Sequence, residues 1–342
     1  MKIGYVLSNL LLGGTQTLFA DLATEFSKIH EVKYTVLSMK NADPIIIKRY
    51  ENLEEVSPEE LLAWSDIIHL DGMISNHHKK IFKPKWKRTI ETFGSARNFS
   101  RTDRIFKRNL PPNLVAMSKH ISNSLRVKHR VIYGGVDTDK FKPLDIDKKY
   151  DLVRLGRMRP VKNHALFLEI CKKGNFSFLA IGGTHRRMEG HINDIEKMVR
   201  AQAVEGRDRV TGFVPHEEVP LLLNQARMGV ITSHSEGGPT YIEPMACGLP
   251  VIARHVGGVP EGLEEYSDLL VPYDAPAEVY VEKIKKYLNN DELSKKLRQH
   301  VIENFSFKKV VEEYSKLYAE VMKRHNCGKK NILFKKYLLR FR

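Results

Sequence analysis

A chain of 342 residues, 42% of them hydrophobic and 28% charged, is too long for one ordinary core and suits two α/β domains of roughly 150 residues each. That composition excludes disordered and fibrous classes. Cys171, Cys247 and Cys327 are scattered and lack C-x-x-C spacing, which argues against a disulfide framework or a zinc site and fits a reducing cytosol. The net charge of +15 is concentrated: residues 71–130 hold 15 Lys and Arg against Asp71, Glu91 and Asp103, and the last 20 residues hold eight basic and no acidic side chains.

In chain order, the opening MKIGYVLSNLLLGG reads as a buried first strand rather than a signal peptide, because Ser8 and Asn9 interrupt the apolar run. A helix is predicted from about Gly14 to Lys28, then strands at VKYTVLS, DIIHL, RTIETF, NLVAMS and RVIYGG. This alternation implies a parallel sheet covered by helices on both faces, with ligands gathering at the carboxyl ends of the strands. The polar stretch KPLDIDKKY has the composition of a linker. Strand-length runs resume at YDLVRLG, FSFLAIGG, DRVTGFV, MGVITSH and PVIAR, with helices over 163–173, through Met198 and after Pro215. Three helices follow, with Asp291 and Ser306 as expected N-caps. No run of about 18 apolar residues is present to span a bilayer. The predicted fold is α/β, with two Rossmann-like doubly wound domains: residues 1–142, a linker 143–149, residues 150–305, a helix 306–324 packing back on the first domain, and a basic tail 325–342.

The richest stretch is SEGGPTYIEPMACGLPVIA, residues 235–253. A strand ends in a Gly-rich turn, and Pro239 suits the first position of the helix that follows. Free backbone N–H groups at such a turn favour an anion. Glu236 and Glu243 stand on either side, able to accept hydrogen bonds from sugar hydroxyls. Residue types alone fit equally a helix cap in which Glu236 complements the dipole.

SEGGPTYIEPMACGLPVIARHVGGVPE resembles the donor-binding signature of the retaining glycosyltransferases of glycosyltransferase family 4, which have the GT-B fold of two Rossmann-like domains facing across a cleft. GGTQT, YGGVDTDKF, LGRMRPVKN, AIGG, VTGFVPHEEVPLLLNQA and FSFKKVVEEYSKLY follow the family's order, so the resemblance covers roughly residues 1–321.

The resemblance implies that Arg157 and Lys162 bind the diphosphate of a nucleotide-sugar donor, UDP- or GDP-linked, and stabilise the departing charge without a metal. It implies that Glu243 binds the ribose hydroxyls and that Glu236 lies near the transferred sugar. Gly237, Gly238 and Thr240 would contact sugar and phosphate, and Gly13 and Gly14 would form the glycine loop of the first domain. Two departures stand out: six residues rather than the family's usual seven separate Glu236 from Glu243, and Gly94 and Ser95 stand where many members carry a histidine. His69 and Asp71, ending DIIHLDG, are therefore candidates for an acceptor-side base facing the cleft. The pair Asp137 and Asp139 is not expected to hold a metal, and no cofactor is expected.

The implied activity is transfer of a hexosyl group with retention to a glycan or lipid-linked acceptor, in cell-envelope polysaccharide or glycolipid assembly. The basic flank of the first domain and the basic tail point to an anionic membrane surface, contacted peripherally from the cytoplasmic side. Two alternatives remain open at this level: a nucleotide-sugar-binding protein that has lost catalysis, and a nucleic-acid binder using the basic face. Against the second, the basic segment lacks regularly interleaved aromatics and any reader motif, and no nucleic acid is expected.

Overall fold

The computed structural model describes residues 1–11, 13–94, 110–125, 127–184 and 193–325. Residues 95–109, within the basic segment, and the tail beyond His325 lie outside the described residues.

The first sheet is built from β1 (Lys2–Leu7), β2 (Glu31–Val36), β3 (Glu54–Glu55), β4 (Ile67–Asp71), β5 (Thr89–Phe93), β6 (Asn113–Ala116) and β7 (Arg130–Val131). Their order is β3-β2-β1-β4-β5-β6-β7, and every pairing is parallel. The second sheet comprises β8 (Tyr150–Leu155), β9 (Phe178–Ile181), β10 (Arg209–Val210), β11 (Ala226–Ile231), β12 (Val251–Arg254) and β13 (Leu270–Val271). It runs β10-β9-β8-β11-β12-β13, again all parallel. In both sheets the winding direction reverses beside the first strand, between β1 and β4 and between β8 and β11. Such a reversal opens a crevice at the strands' carboxyl ends.

The central strands read as continuous apolar runs because helices cover both faces. β4 and β5 are buried at every position, polar residues included. The second core takes in Val136 and Phe141, so it begins before the linker that composition marks. Asn224 fixes that linker by donating to Lys142 O (2.9 Å) and accepting from Leu144 N (2.8 Å).

The chain crosses between the two sheets twice, and the crossings pair in a parallel bridge of Val136 with Ser306. Val136 N donates to Phe305 O (2.9 Å) and Phe307 N to Val136 O (2.8 Å). The helix Phe307–His325 then buries Val310, Tyr314, Leu317, Tyr318 and Val321 in the first core. Ser306 caps it through Lys309 N (3.4 Å). For the preceding helix Asp291–Phe305, the cap is Asn290, whose side chain accepts from Leu293 N, so Asp291 is the first helical residue rather than the cap. No helix among the described residues is long and apolar enough to cross a membrane.

Candidate active site

β8 ends at Leu155 and hands the chain to Gly156 and Arg157; a 3-10 turn, Pro160–Lys162, then leads to Asn163, whose side chain caps the helix His164–Gly174. Beside it, β11 ends at Ile231 and continues through Thr232 and Ser233 to Glu236. The two segments are stitched together: Thr232 Oγ1 donates to Asn163 O (2.9 Å), and His234 N to Val161 O (2.8 Å).

This stitching brings Lys162 onto Glu236, Nζ to Oε2 at 2.6 Å, with side chains only 14% and 3% exposed. Ser233 Oγ donates to the same Oε2 at 2.9 Å. Burial alone would raise the Glu236 carboxyl, but Lys162, Arg154 and Ser233 hold it below its ordinary value. Burial lowers Lys162, and Glu236 opposes that shift. Arg157 is exposed and makes no ion pair among the described residues; partial burial and the neighbouring Arg159 push it down.

Glu236 sits under a close backbone approach. Gly257 has φ +56°, and a Cβ there would meet Glu236 O at 1.9 Å, so only glycine lets Gly258 N reach that carbonyl at 2.9 Å. Gly237 and Gly238 form the open part of the turn, and the hydroxyl of Thr240 is buried without a hydrogen-bond partner among the described residues. A 3-10 turn, Pro239–Tyr241, precedes the helix Ile242–Ala246. At about 2.0 Å of rise per residue against about 1.5 Å in an α-helix, it recovers part of the length of the missing residue between the glutamates.

Glu243 is buried in that helix, and its Oε1 is bonded to His216 Nε2 at 3.0 Å. Sequence reasoning did not single out His216, although it lies in the VPHEEVP segment. It also passed over Arg154, which is wholly buried in β8: Nη1 donates to Leu155 O (2.9 Å), and Nη2 to Lys162 O and Ser233 Oγ (2.8 Å each). Burial lowers this guanidinium to about 10, which leaves it charged. A further feature is a cavity of about 160 Å³ beside Arg157, walled by Gly156, Gly182, Gly183, Phe213 and Val214.

On the opposite sheet, Gly13 is the N-cap of the helix Gly14–Ser27, and a Cβ on Gly14 would meet nothing within 4 Å. The loop is thus open at Gly14, whereas a Cβ on Gly13 would meet Gln16 Oε1 at 2.9 Å. A Cβ on Gly94, at the end of β5, would lie 2.0 Å from Thr15 Oγ1. Thr15 occupies the space a side chain at position 94 would need.

The two candidates from β4 do not face the cleft. His69 is fully buried, with Nδ1 2.7 Å from Tyr318 Oη, Nε2 2.7 Å from Thr92 Oγ1, and its ring 4.6 Å from that of Phe19. The helix Phe307–His325 covers it, so it braces that helix instead of meeting an acceptor. Asp71 is equally buried: Oδ2 accepts from Ser8 N and Oγ (2.8 Å each), and Oδ1 from Met73 N (2.9 Å). Its carboxylate ties the loop after β1 to the loop after β4. Asp137 accepts from Asp139 N and Lys140 N and shapes a turn.

Burial lowers His69 from 6.5 to about 3. Its folded value lies below its unfolded one, so as pH falls the unfolded chain takes up the proton first. The stability contributed by neutral His69 is complete above about pH 6.5 and is lost as pH falls towards about 3, by a few kcal/mol. Denaturant melts across that window should show a shallower fall in His69→Gln than in the unsubstituted protein; equal slopes would assign the titration elsewhere.

The units also meet across the cleft. Glu261, beyond β12, accepts from Lys119 N and His120 N (2.6 Å each), and Lys119 Nζ lies 3.3 Å from Glu264.

Comparison with known proteins accords with this architecture. Residues 136–304 match the family model described as glycosyl transferases group 1. An uncharacterized glycosyltransferase of Methanocaldococcus jannaschii is 30% identical over 221 residues, 61% of this chain and 59% of that one. This match and those to two further curated relatives span 59%, 45% and 60% of those proteins' own lengths. Among solved structures, a glycosyltransferase from Rickettsia africae superposes with a TM-score of 0.77 at 17% identity, covering 94% of this chain and 98% of that one. Anabaena HepE, solved in complex with UDP, gives 0.76 at 15% identity, covering 94% and 100%. With its two parallel sheets the chain has the GT-B fold, and its second half, residues 136–304, matches the group 1 glycosyl transferases.

Proposed function

We propose that this protein transfers a hexosyl group from a nucleoside-diphosphate sugar to an acceptor hydroxyl, with retention at the anomeric carbon and without a metal. The reading rests on one observation: at the reversal of β8 and β11, Lys162 pairs with a buried carboxylate beside the open Gly237–Gly238 turn, and Arg157 borders a cavity walled by glycines and Phe213. The cavity suits a flat base, and the cations suit the diphosphate. UDP is the favoured nucleotide, in keeping with HepE, which was solved with UDP and with UDP-glucose.

As the sugar–phosphate bond breaks, negative charge grows on the leaving diphosphate, and fixed cations stabilise that charge more in the transition state than in the ground state. Glu236 sits too deep in its ion pair to serve as a free nucleophile. A front-face substitution follows, in which the departing phosphate oxygen takes the acceptor proton and the protein supplies alignment. Glu243 would hold the ribose hydroxyls, and the unpartnered Thr240 hydroxyl would meet phosphate or sugar.

The crossover from β4 to β5 carries Lys80, Lys83 and Lys87, all exposed, and Met73, just after β4, is 54% exposed. Exposed cations on the first domain suit an anionic headgroup layer. The acceptor is accordingly a lipid-linked or anionic glycan at the inner face of a membrane, in envelope polysaccharide or glycolipid assembly.

Thermal melts with UDP, GDP and their sugars at 1 mM test the donor. A ligand present at about a hundred times its Kd adds about 2.7 kcal/mol of stability, so UDP should raise Tm by several degrees. No shift with any nucleoside diphosphate would overturn the reading. Proton NMR of the product formed from the stabilising sugar nucleotide should give the anomer of the donor; the opposite anomer would refute retention.

A further inference from the structure

Lys162 is already committed to Glu236. Its ammonium lies 2.6 Å from Glu236 Oε2, and a lysine that grips a diphosphate must give up or share that contact. Breaking a buried ion pair by withdrawing one partner ordinarily strands the other charge at high cost. The arrangement around Glu236 contains a remedy. Arg154, wholly buried in β8, donates through Nη2 to Ser233 Oγ at 2.8 Å, and Ser233 passes a hydrogen bond to the same Oε2 at 2.9 Å. The same Nη2 holds Lys162 O at 2.8 Å, so one guanidinium fixes both the carboxylate and the backbone from which the lysine side chain swings.

We propose that Arg154 is a positioning residue: through Ser233 it keeps Glu236 charged and in place while Lys162 moves from that carboxylate to the donor diphosphate.

The proposal rests on the donor-binding reading above and adds the device that makes the exchange affordable. A fully buried arginine in a strand is costly unless a counter-charge stands near it. Here the nearby carboxylate is one that a second cation also holds. Two cations facing one carboxylate leave the pocket with surplus positive charge, which an incoming diphosphate neutralises. When the diphosphate draws off Lys162, Arg154 remains as the counter-charge of Glu236. The groups facing that carboxylate are Lys162 from the 3-10 turn, Arg154 from β8, Ser233 from the end of β11 and the Tyr241 phenol, whose hydroxyl is engaged with Gly258 O at 3.1 Å. The positive charge of Arg157 opposes that of Lys162.

Carboxyl NMR titration of Glu236 in the full-length protein, with and without UDP, tests this. Two variants are used: Arg154→Met, which removes the buried charge, and Ser233→Ala, a small change that cuts the connection and spares the fold if the first variant does not express. In the unsubstituted protein the Glu236 midpoint should stay nearly fixed when UDP binds. In either variant it should move upward on UDP binding, and UDP affinity should fall about tenfold, equivalent to about 1.4 kcal/mol. UDP binding with an unchanged Glu236 midpoint in the folded variants would overturn the role of Arg154 and leave the donor-binding reading standing. Failure of UDP to bind the unsubstituted protein would overturn the donor-binding reading and the lysine exchange with it. In that case the Glu236 midpoints of the empty proteins still decide whether Arg154 holds the carboxylate.

Discussion

Lys162→Ala is expected to lower kcat by about a hundred- to a thousandfold, the range seen when one preorganised group that stabilises developing charge is removed. Arg157→Ala should fall in the same direction, but less steeply, since Arg157 is exposed and its interaction is better screened by water. The physical reason is that, in the proposed role, both cations would act most strongly on the leaving diphosphate. Their loss should therefore appear in kcat more than in KM for the donor. Lys162 is paired with the buried Glu236, so its loss should also lower the melting temperature, by less than a stranded carboxylate would because Ser233 still holds Glu236. Single-turnover transfer with a sugar nucleotide, alongside melting curves for each variant, separates the two effects. A Lys162→Ala protein that folds and transfers at an undiminished rate would remove this lysine from the chemistry.

The largest effect on stability is expected far from the cleft chemistry. Lys79, in the short helix Asn76–Lys79, and Glu91, in β5, form an ion pair of 2.5 Å in which both side chains are fully buried. Lys79→Met would leave the Glu91 carboxylate in the core without its cation and should cost about 3–5 kcal/mol. The double change Lys79→Met with Glu91→Leu should recover most of the loss, because two apolar groups have no desolvation penalty to offset. Denaturant melts of the single and double variants read this directly. Additive losses in the cycle would mean that the two residues are not energetically coupled. The pair also anchors the start of the basic segment that carries Lys80, Lys83 and Lys87.

Much of this architecture could be read from the chain because central strands of a parallel sheet are buried on both faces. KIGYVL, DIIHL, YDLVRL and MGVI announce themselves as apolar runs, and their order in the chain implies the winding. β3 is the two-residue pair Glu54–Glu55 at an exposed sheet edge, so it carries no apolar signal. The 3-10 segment Lys80–Arg88 likewise has a polar, proline-interrupted sequence that propensity does not assign.

Within the site, Arg157, Lys162, Glu236 and Glu243 were legible because their neighbours form a recognisable signature. Arg154 was not, since a charged residue within a strand reads as one facing water. Only the helices covering both faces reveal it as buried, and an arginine in the first strand of a doubly wound half is the signal that would have flagged it. His69 and Asp71 were misplaced for a related reason. What covers His69 is Tyr314 and Tyr318, more than 240 residues later in the chain, and what holds Asp71 is Ser8, from another strand end. Neither contact leaves a local mark.

The account stands on one grip, that of the Arg157 and Lys162 cations on a nucleotide's diphosphate at the carboxyl end of β8. A crystal structure of the protein with UDP tests it most directly. The expected result is a β-phosphate within about 3 Å of Lys162 Nζ and the Arg157 guanidinium, with uracil in the cavity beside Gly182 and Phe213. UDP seated elsewhere, with Lys162 still paired to Glu236 and Arg157 pointing to solvent, would contradict it.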